Sequence, residues 1–77
     1  MIMNTKELGK TIRGRRRELK IDQRTLAEMA GVSVHTVSDI ESGRANPTLE
    51  VLAKTLGVLG LALSIEPSAP PQNERDR

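Results

Sequence analysis

The residues best suited to chemistry stand close together: His35, Ser38 and Asp39, three and four positions apart, a spacing that puts them on one face of a helix. A base, a nucleophile and an orienting acid could be arranged from such a set. The rest of the sequence argues against it. There is one histidine, no cysteine and no tyrosine, and no glycine-rich phosphate loop. Three side chains on an open convex helix face form no pocket to hold a substrate or exclude water, so an enzyme is not expected. His35 and Asp39 supply two metal ligands, too few for a zinc site, and without cysteine there is neither a disulfide framework nor a thiolate site. No cofactor is expected. What remains for a polar row of this kind is non-covalent recognition.

The elements that must position that row are short helices. Asn4 followed by Glu7 is close to a capping box and opens a first helix running to about Leu19, with Leu8, Ile12 and Leu19 on one face. Gly9 and Gly14 weaken that helix by roughly 1 kcal/mol each against Ala, and small residues there permit a close helix contact. Asp22 caps a second helix, Gln23 to Ala30, which Gly31 ends. Ser33 caps a third, Val34 to Ser42, and Gly43 ends it. Arg44-Ala45-Asn46-Pro47 reads as a loop. Thr48 caps a fourth helix with Leu49, Leu52, Ala53 and Leu56 inward. From Leu61 the period changes: Leu61, Leu63 and Ile65 alternate with Ala62, Ser64 and Glu66, which predicts a short strand. A lone strand in a helical domain has no partner in its own chain and is expected to pair across a dimer axis. Pro67, Pro70 and Pro71 among polar residues mark a disordered tail. The expected organisation is a domain over residues 1–66, mostly all-α, and a tail over 67–77.

Composition narrows the partner. The 77 residues contain no Phe, Trp or Tyr. No base can stack on an aromatic platform, which argues against the common single-strand modules. An aliphatic core in so short a chain is marginal alone, so a second copy is expected to help. Net charge is only +2, but residues 1–30 carry eight Lys/Arg against four Asp/Glu, while residues 31–66 carry two against four. A basic N-terminal half implies one face turned to a polyanion. The Arg13-to-Arg17 cluster could serve an anionic membrane, but Leu8, Ile12 and Leu19 are too few to anchor a bilayer and fill a core. The apolar run Val58 to Leu63 is far short of a membrane span. No secretory leader is visible, and a cytoplasmic location is expected.

The segment Gln23 to Ser42 carries the sharpest pattern. Ala27 lies four residues before Gly31, where a small side chain lets two helices cross. Val32, Val37 and Ile40 follow Gly31 by one, six and nine, and Leu26 and Ala30 complete the apolar set. That is a helix-turn-helix. With Ile12-Arg13-Gly14-Arg15-Arg16-Arg17, Asp22-Gln23-Arg24-Thr25-Leu26-Ala27, Gly31-Val32-Ser33, Ile40-Glu41-Ser42-Gly43-Arg44 and Asn46-Pro47-Thr48-Leu49, the chain resembles the Cro/repressor-type (XRE) helix-turn-helix family over about residues 7–60. The resemblance implies a compact lambda-repressor-like domain of four to five helices that binds duplex DNA, usually as a dimer. The ending Thr55 to Glu66, with a strand where a fifth helix belongs, resembles the HipB-like antitoxins. Those repress their own operon and bind a HipA-type kinase toxin.

The resemblance also implies roles. Val34, His35, Thr36, Ser38 and Asp39 read bases from the third helix, whose first turn enters the major groove. Geometry agrees: with Val37 and Ile40 inward, 34, 35, 38 and 39 point away from the core. His35 can donate to a guanine acceptor and Val34 can meet a thymine methyl. Asp39 either accepts from cytosine N4 or positions His35. Phosphate contacts fall to Gln23, Arg24, Ser33, Ser42, Arg44, Arg13 and Arg17. Gln23 also braces the reading helix. Arg16 and Glu41 form a structural salt bridge and are not spent on DNA. Dimerisation falls to Leu59, Leu61, Ala62, Leu63, Ser64 and Ile65.

Two further readings stand beside an autoregulating antitoxin. One is a stand-alone phage-type or restriction-controller regulator with no toxin. The other is a pure protein-interaction module, which would not need Gln23, Arg44 and the polar reading face together.

Overall fold

The structure is a computed structural model that describes residues 4–65 and 67. Four helices follow in order: α1 (Thr5–Glu18), α2 (Gln23–Ala30), α3 (Val34–Ser42) and α4 (Leu49–Val58). Each begins on a side chain that accepts an otherwise unpartnered backbone N–H three residues on. Asn4 takes Glu7 N, Asp22 takes Thr25 N, Ser33 takes Thr36 N and Thr48 takes Val51 N, at 2.7–3.1 Å. Each ends in the same paired closure, in which the residue after the left-handed one reaches back to the carbonyl five positions earlier. Those bonds are Ile21 N to Arg16 O, Val32 N to Ala27 O, Arg44 N to Asp39 O and Leu61 N to Leu56 O. Glycine supplies the positive φ in three of the closures, at 31, 43 and 60. Lys20, at φ 60°, supplies it in α1, against a steric cost of about 1 kcal/mol.

α3 packs on α1 and on α2, and α2 also packs on α4. The core between them is aliphatic. Ile12, Leu26, Val37, Ile40 and Leu59 are fully buried, with Ala27, Leu52 and Leu56 beside them. Each large side chain removed from water contributes about 1.5–3 kcal/mol. Leu8, Ile21, Val32 and Ala45 close the edges.

Several expectations need correction. Leu19 does not share the inner face of α1: the helix ends at Glu18, and Leu19 is exposed in the closing turn. Gly9 and Arg16 occupy the inner face with Ile12. In α4, Leu49 is 73% exposed and Ala53 is also exposed. Leu49 and Ala53 lie off the inner face of α4, which is Leu52, Thr55 and Leu56, with Val51 packed beside it. Thr55 is tolerated in an apolar setting because its hydroxyl donates to Val51 O at 2.9 Å. Leu59 belongs to the core of the single chain, so it is not available at an interface between copies.

Over residues 61–65 no strand forms, and Glu66 and the tail beyond Pro67 lie outside the described residues. The reason is the one that makes a lone strand unusual: a ladder needs a neighbouring strand, and the four helices offer none. Leu61 lies half-buried against the core, whereas Leu63 and Ile65 are exposed, Ile65 almost completely. With α1, this segment borders an apolar groove of about 300 Å³ lined by Leu8, Thr11, Leu56, Leu61 and Leu63.

Candidate nucleic-acid interface

The site is built on how α3 is held. Its inner side, Val37, Ile40 and Glu41, is buried. At its last turn the backbone lies directly on α1. A Cβ at Gly9 would strike the carbonyl oxygen of Ile40 and come within 2.6 Å of that of Glu41, so only glycine fits. Beside this contact the Arg16 guanidinium grips Glu41 with two parallel bonds, Nε to Oε2 at 2.7 Å and Nη2 to Oε1 at 3.0 Å. Gln23 Nε2 adds a third donor to Glu41 Oε1 at 3.0 Å, and Arg16 Nη1 donates to Ile21 O at 2.9 Å. The Arg16–Glu41–Gln23 cluster thus ties α1, the α1–α2 turn, the start of α2 and the end of α3. The bidentate fork uses the planar geometry that makes Arg–carboxylate pairs strong.

The ionisation of this cluster follows from its contacts. The Glu41 bond, opposed by burial, raises Arg16 above its ordinary value. For Glu41 burial is the largest single influence and disfavours the charge. The Arg16 and Gln23 bonds and the charges of Arg16 and Arg13 together outweigh it, so its carboxyl lies below the ordinary 4.5. Asp22 is also lowered from 3.8, chiefly by accepting the Thr25 backbone N–H. The folded state therefore takes up these protons at lower pH than the unfolded chain does. Their contribution is complete above the unfolded carboxylate values and is lost as pH falls through the lowered folded ones. The thermal midpoint is expected to fall from about pH 5 downward, and Glu41→Gln to flatten that acid limb. Identical limbs in the two proteins would show that Glu41 is not its source.

Facing away from the core, α3 presents the expected row. The His35 side chain is 85% exposed, Val34 is exposed, and Thr36, Ser38 and Asp39 are half-buried. Asp39 is engaged on both oxygens, with Arg44 Nη2 donating to Oδ1 at 3.2 Å and His35 Nε2 lying 3.2 Å from Oδ2. Of the two roles open to Asp39, this arrangement matches positioning. Ser33 is occupied as a cap and also bonds Thr36 Oγ1, and Ser42 Oγ donates to Asp39 O. Arg13, Arg17 and Arg24 are exposed, and no ion pair holds them among the described residues. Gln23 is placed as the brace, its amide on Glu41, at the start of α2.

Arg15 is the residue that the sequence pattern hides. It reads as one more member of a basic cluster. Its Nε instead donates to Leu59 O at 2.9 Å, closing the end of α4 from a position 44 residues away, and its Nη1 meets Glu18. The nearest local signal is the Glu18 partner three residues on, which says nothing about Leu59.

Comparison with known proteins agrees with this geometry. A family model described as helix-turn-helix (HTH_3) matches residues 12–65. The chain belongs to this helix-turn-helix family. An uncharacterised HTH-type transcriptional regulator of Haemophilus influenzae is 44% identical over 52 residues, 68% of this chain and 53% of that protein. The immunity repressor protein of Bacillus phage phi105 is 40% identical over 57 residues, 74% of this chain and 40% of that protein. The helix-turn-helix chain thus spans about half or less of the length of these curated relatives. Among solved structures, a chain of the HipA-HipB-O2-O3 complex superposes with a TM-score of 0.78 at 25% identity, covering 90% of this chain and 97% of its own. The fold is therefore the four-helix, lambda-repressor-like one. Among the described residues no helix is long and apolar enough to cross a membrane.

Proposed function

We propose that this helix-turn-helix chain is a sequence-specific, duplex-DNA-binding transcriptional repressor that acts as a dimer in the bacterial cytoplasm. The observation that carries the reading is the exposed row on α3, mounted on a helix whose inner side is locked to α1 and α2 by Gly9 and by the Arg16–Glu41–Gln23 cluster. Val34, His35, Thr36 and Ser38 read base edges in the major groove, and Asp39 holds His35 and Arg44 in place. Arg13, Arg17, Arg24, Arg44, Gln23, Ser33 and Ser42 set register on the phosphates. Two chains pair through residues 61–65, with Leu63 and Ile65 as exposed apolar contacts, and place their reading helices about 34 Å apart on a palindromic site.

The finer reading is an autoregulating antitoxin of a HipA-type kinase toxin. It draws on the likeness, over nearly the whole of both chains, to a chain of the HipA-HipB-O2-O3 complex. A phage-type repressor without a toxin is the second reading, drawing on the identity with the phi105 immunity repressor. Co-purification from the native host separates the two.

The base-reading assignment is tested by gel shift on the upstream DNA. His35→Ala with Ser38→Ala is expected to weaken binding to the selected sequence by about 1–3 kcal/mol for each base edge no longer read, while binding to unrelated duplex stays the same. Undiminished selective binding in the double variant defeats the assignment. A monomer by sedimentation at micromolar concentration defeats the pairing through 61–65.

A further inference from the structure

The exposed side of α1 carries a second charged feature. Lys6, Lys10, Arg13, Arg17 and Lys20 follow one another at alternating spacings of four and three residues, and all five are exposed. That alternation keeps the first four in one row along α1, and Lys20 stands in the closing turn just past its end. Glu7 and Glu18, the acidic residues of α1, lie off the row, and Glu18 is taken by Arg15. Among the described residues none of the five cations is in an ion pair. Like charges this close repel one another, and none of them is neutralised by a direct ion pair among the described residues.

The row is continuous with the reading site. Gly9 and Arg16, which touch the last turn of α3, occupy the adjoining face of α1. Arg13 is near enough to that turn for its charge to help hold Glu41 ionised. From Lys6 to Arg17 the row runs about 17 Å at a helix rise of 1.5 Å per residue. Over that length along its axis one strand of a duplex presents about five phosphates. A line of anions thus matches it in charge and length. A bilayer surface matches less well, because the helix turns its large apolar residues, Leu8 and Ile12, to the core, and the exposed Leu19 of the closing turn is too little by itself to anchor in lipid.

We propose that the Lys6–Lys10–Arg13–Arg17–Lys20 row is a sequence-independent DNA contact that tracks the phosphates of one strand outside the base pairs read by α3. It rests on the DNA-binding reading above and adds Lys6, Lys10 and Lys20, to which that reading gives no role. The row supplies affinity for any duplex, and α3 supplies the choice among sequences.

The test is the salt dependence of binding to a duplex of random sequence. The proteins compared are the full chain, the triple variant Lys6→Gln, Lys10→Gln, Lys20→Gln, and the charge-preserving triple Lys→Arg at the same positions. The Gln variant is expected to bind more weakly at low salt, with the difference closing as salt rises. Its slope of log affinity on log salt should be shallower by about 0.9 for each phosphate that the row no longer neutralises. Base preference should be unchanged, and the Arg variant should keep the full slope. Equal slopes in the full chain and the Gln variant overturn the row while leaving DNA binding by α3 intact. A full chain that binds no duplex defeats both readings. Three-lysine-dependent binding to anionic phosphatidylserine vesicles, with no change on DNA, assigns the row to a membrane and overturns the proposal.

Discussion

Glu41→Ala is expected to destabilise the fold by about 3–5 kcal/mol, the cost of removing one partner from a buried ion pair. A chain of this length holds a total stability of about 4–12 kcal/mol, so the loss is a large share of it and the urea midpoint should fall steeply. The size follows from what is stranded. Arg16 loses two of its three bonds while it stays enclosed, and the Gln23 amide loses its acceptor. Only the Nη1 bond to Ile21 O remains. Desolvating a charge without a partner costs far more than an exposed pair returns. Because the penalty comes from the orphaned partner, replacing both members by apolar residues of similar volume, Arg16→Met with Glu41→Leu, should recover most of the stability. Urea denaturation of the two variants measures this. A Glu41→Ala midpoint equal to that of the parent would remove the structural role of the pair. A double variant no more stable than the single would show that the packing, not the charge, mattered.

The second large effect concerns two glycines of one helix. Helix propensity alone predicts that Gly9→Ala and Gly14→Ala both stabilise α1 by about 0.5–1 kcal/mol. The structure separates them. A Cβ at Gly14 meets nothing within 4 Å, so the gain should appear in full, about 4–8 °C per kcal/mol for a domain of this size. A Cβ at Gly9 runs into the Ile40 carbonyl and to within 2.6 Å of that of Glu41, both backbone atoms that cannot swing aside as a side chain would. α3 must lift off α1, which should cost about 1–3 kcal/mol or more and loosen the Arg16–Glu41 fork beside it. Opposite signs in thermal denaturation are the expected result. Stabilisation by both substitutions would mean that α1 and α3 do not sit in backbone contact at Gly9. A Gly9→Ala protein that is folded but weaker on DNA would add that the seat of α3 matters to reading.

What the sequence makes legible here is what is encoded locally. Asn4, Asp22, Ser33 and Thr48 announce helix starts through their own side chains, and Gly31 and Gly43 announce ends through backbone conformation. The limits of α2 and α3 can therefore be read off without tertiary information. Lys20 hides the end of α1, because a lysine does not advertise a left-handed φ, and Leu19 is misassigned with it. The inner face of α4 misleads for a related reason. Apolarity draws attention to Leu49 and Ala53, while Thr55 enters the core by satisfying its hydroxyl on its own helix. In the candidate site, the outward row of α3 follows from helical period. Arg15 and Leu59 find each other across 44 residues, a distance at which periodicity carries no information. The alternation over 61–65 describes a segment able to be a strand, but strand formation depends on a neighbour, which one chain's sequence does not contain.

The local caps at both ends of α3 have a consequence for how such a helix changes over time. Ser33 and Gly43 bound the helix, and Val37, Ile40 and Glu41 anchor it, so positions 34, 35 and 38 carry almost none of the burden of folding. Substitution there alters what is presented to a groove without sliding the helix along its own axis or changing its length. On the proposed DNA-binding reading, specificity and foldability are thereby written in separate letters of the same nine-residue word, and the first can drift while the second is kept.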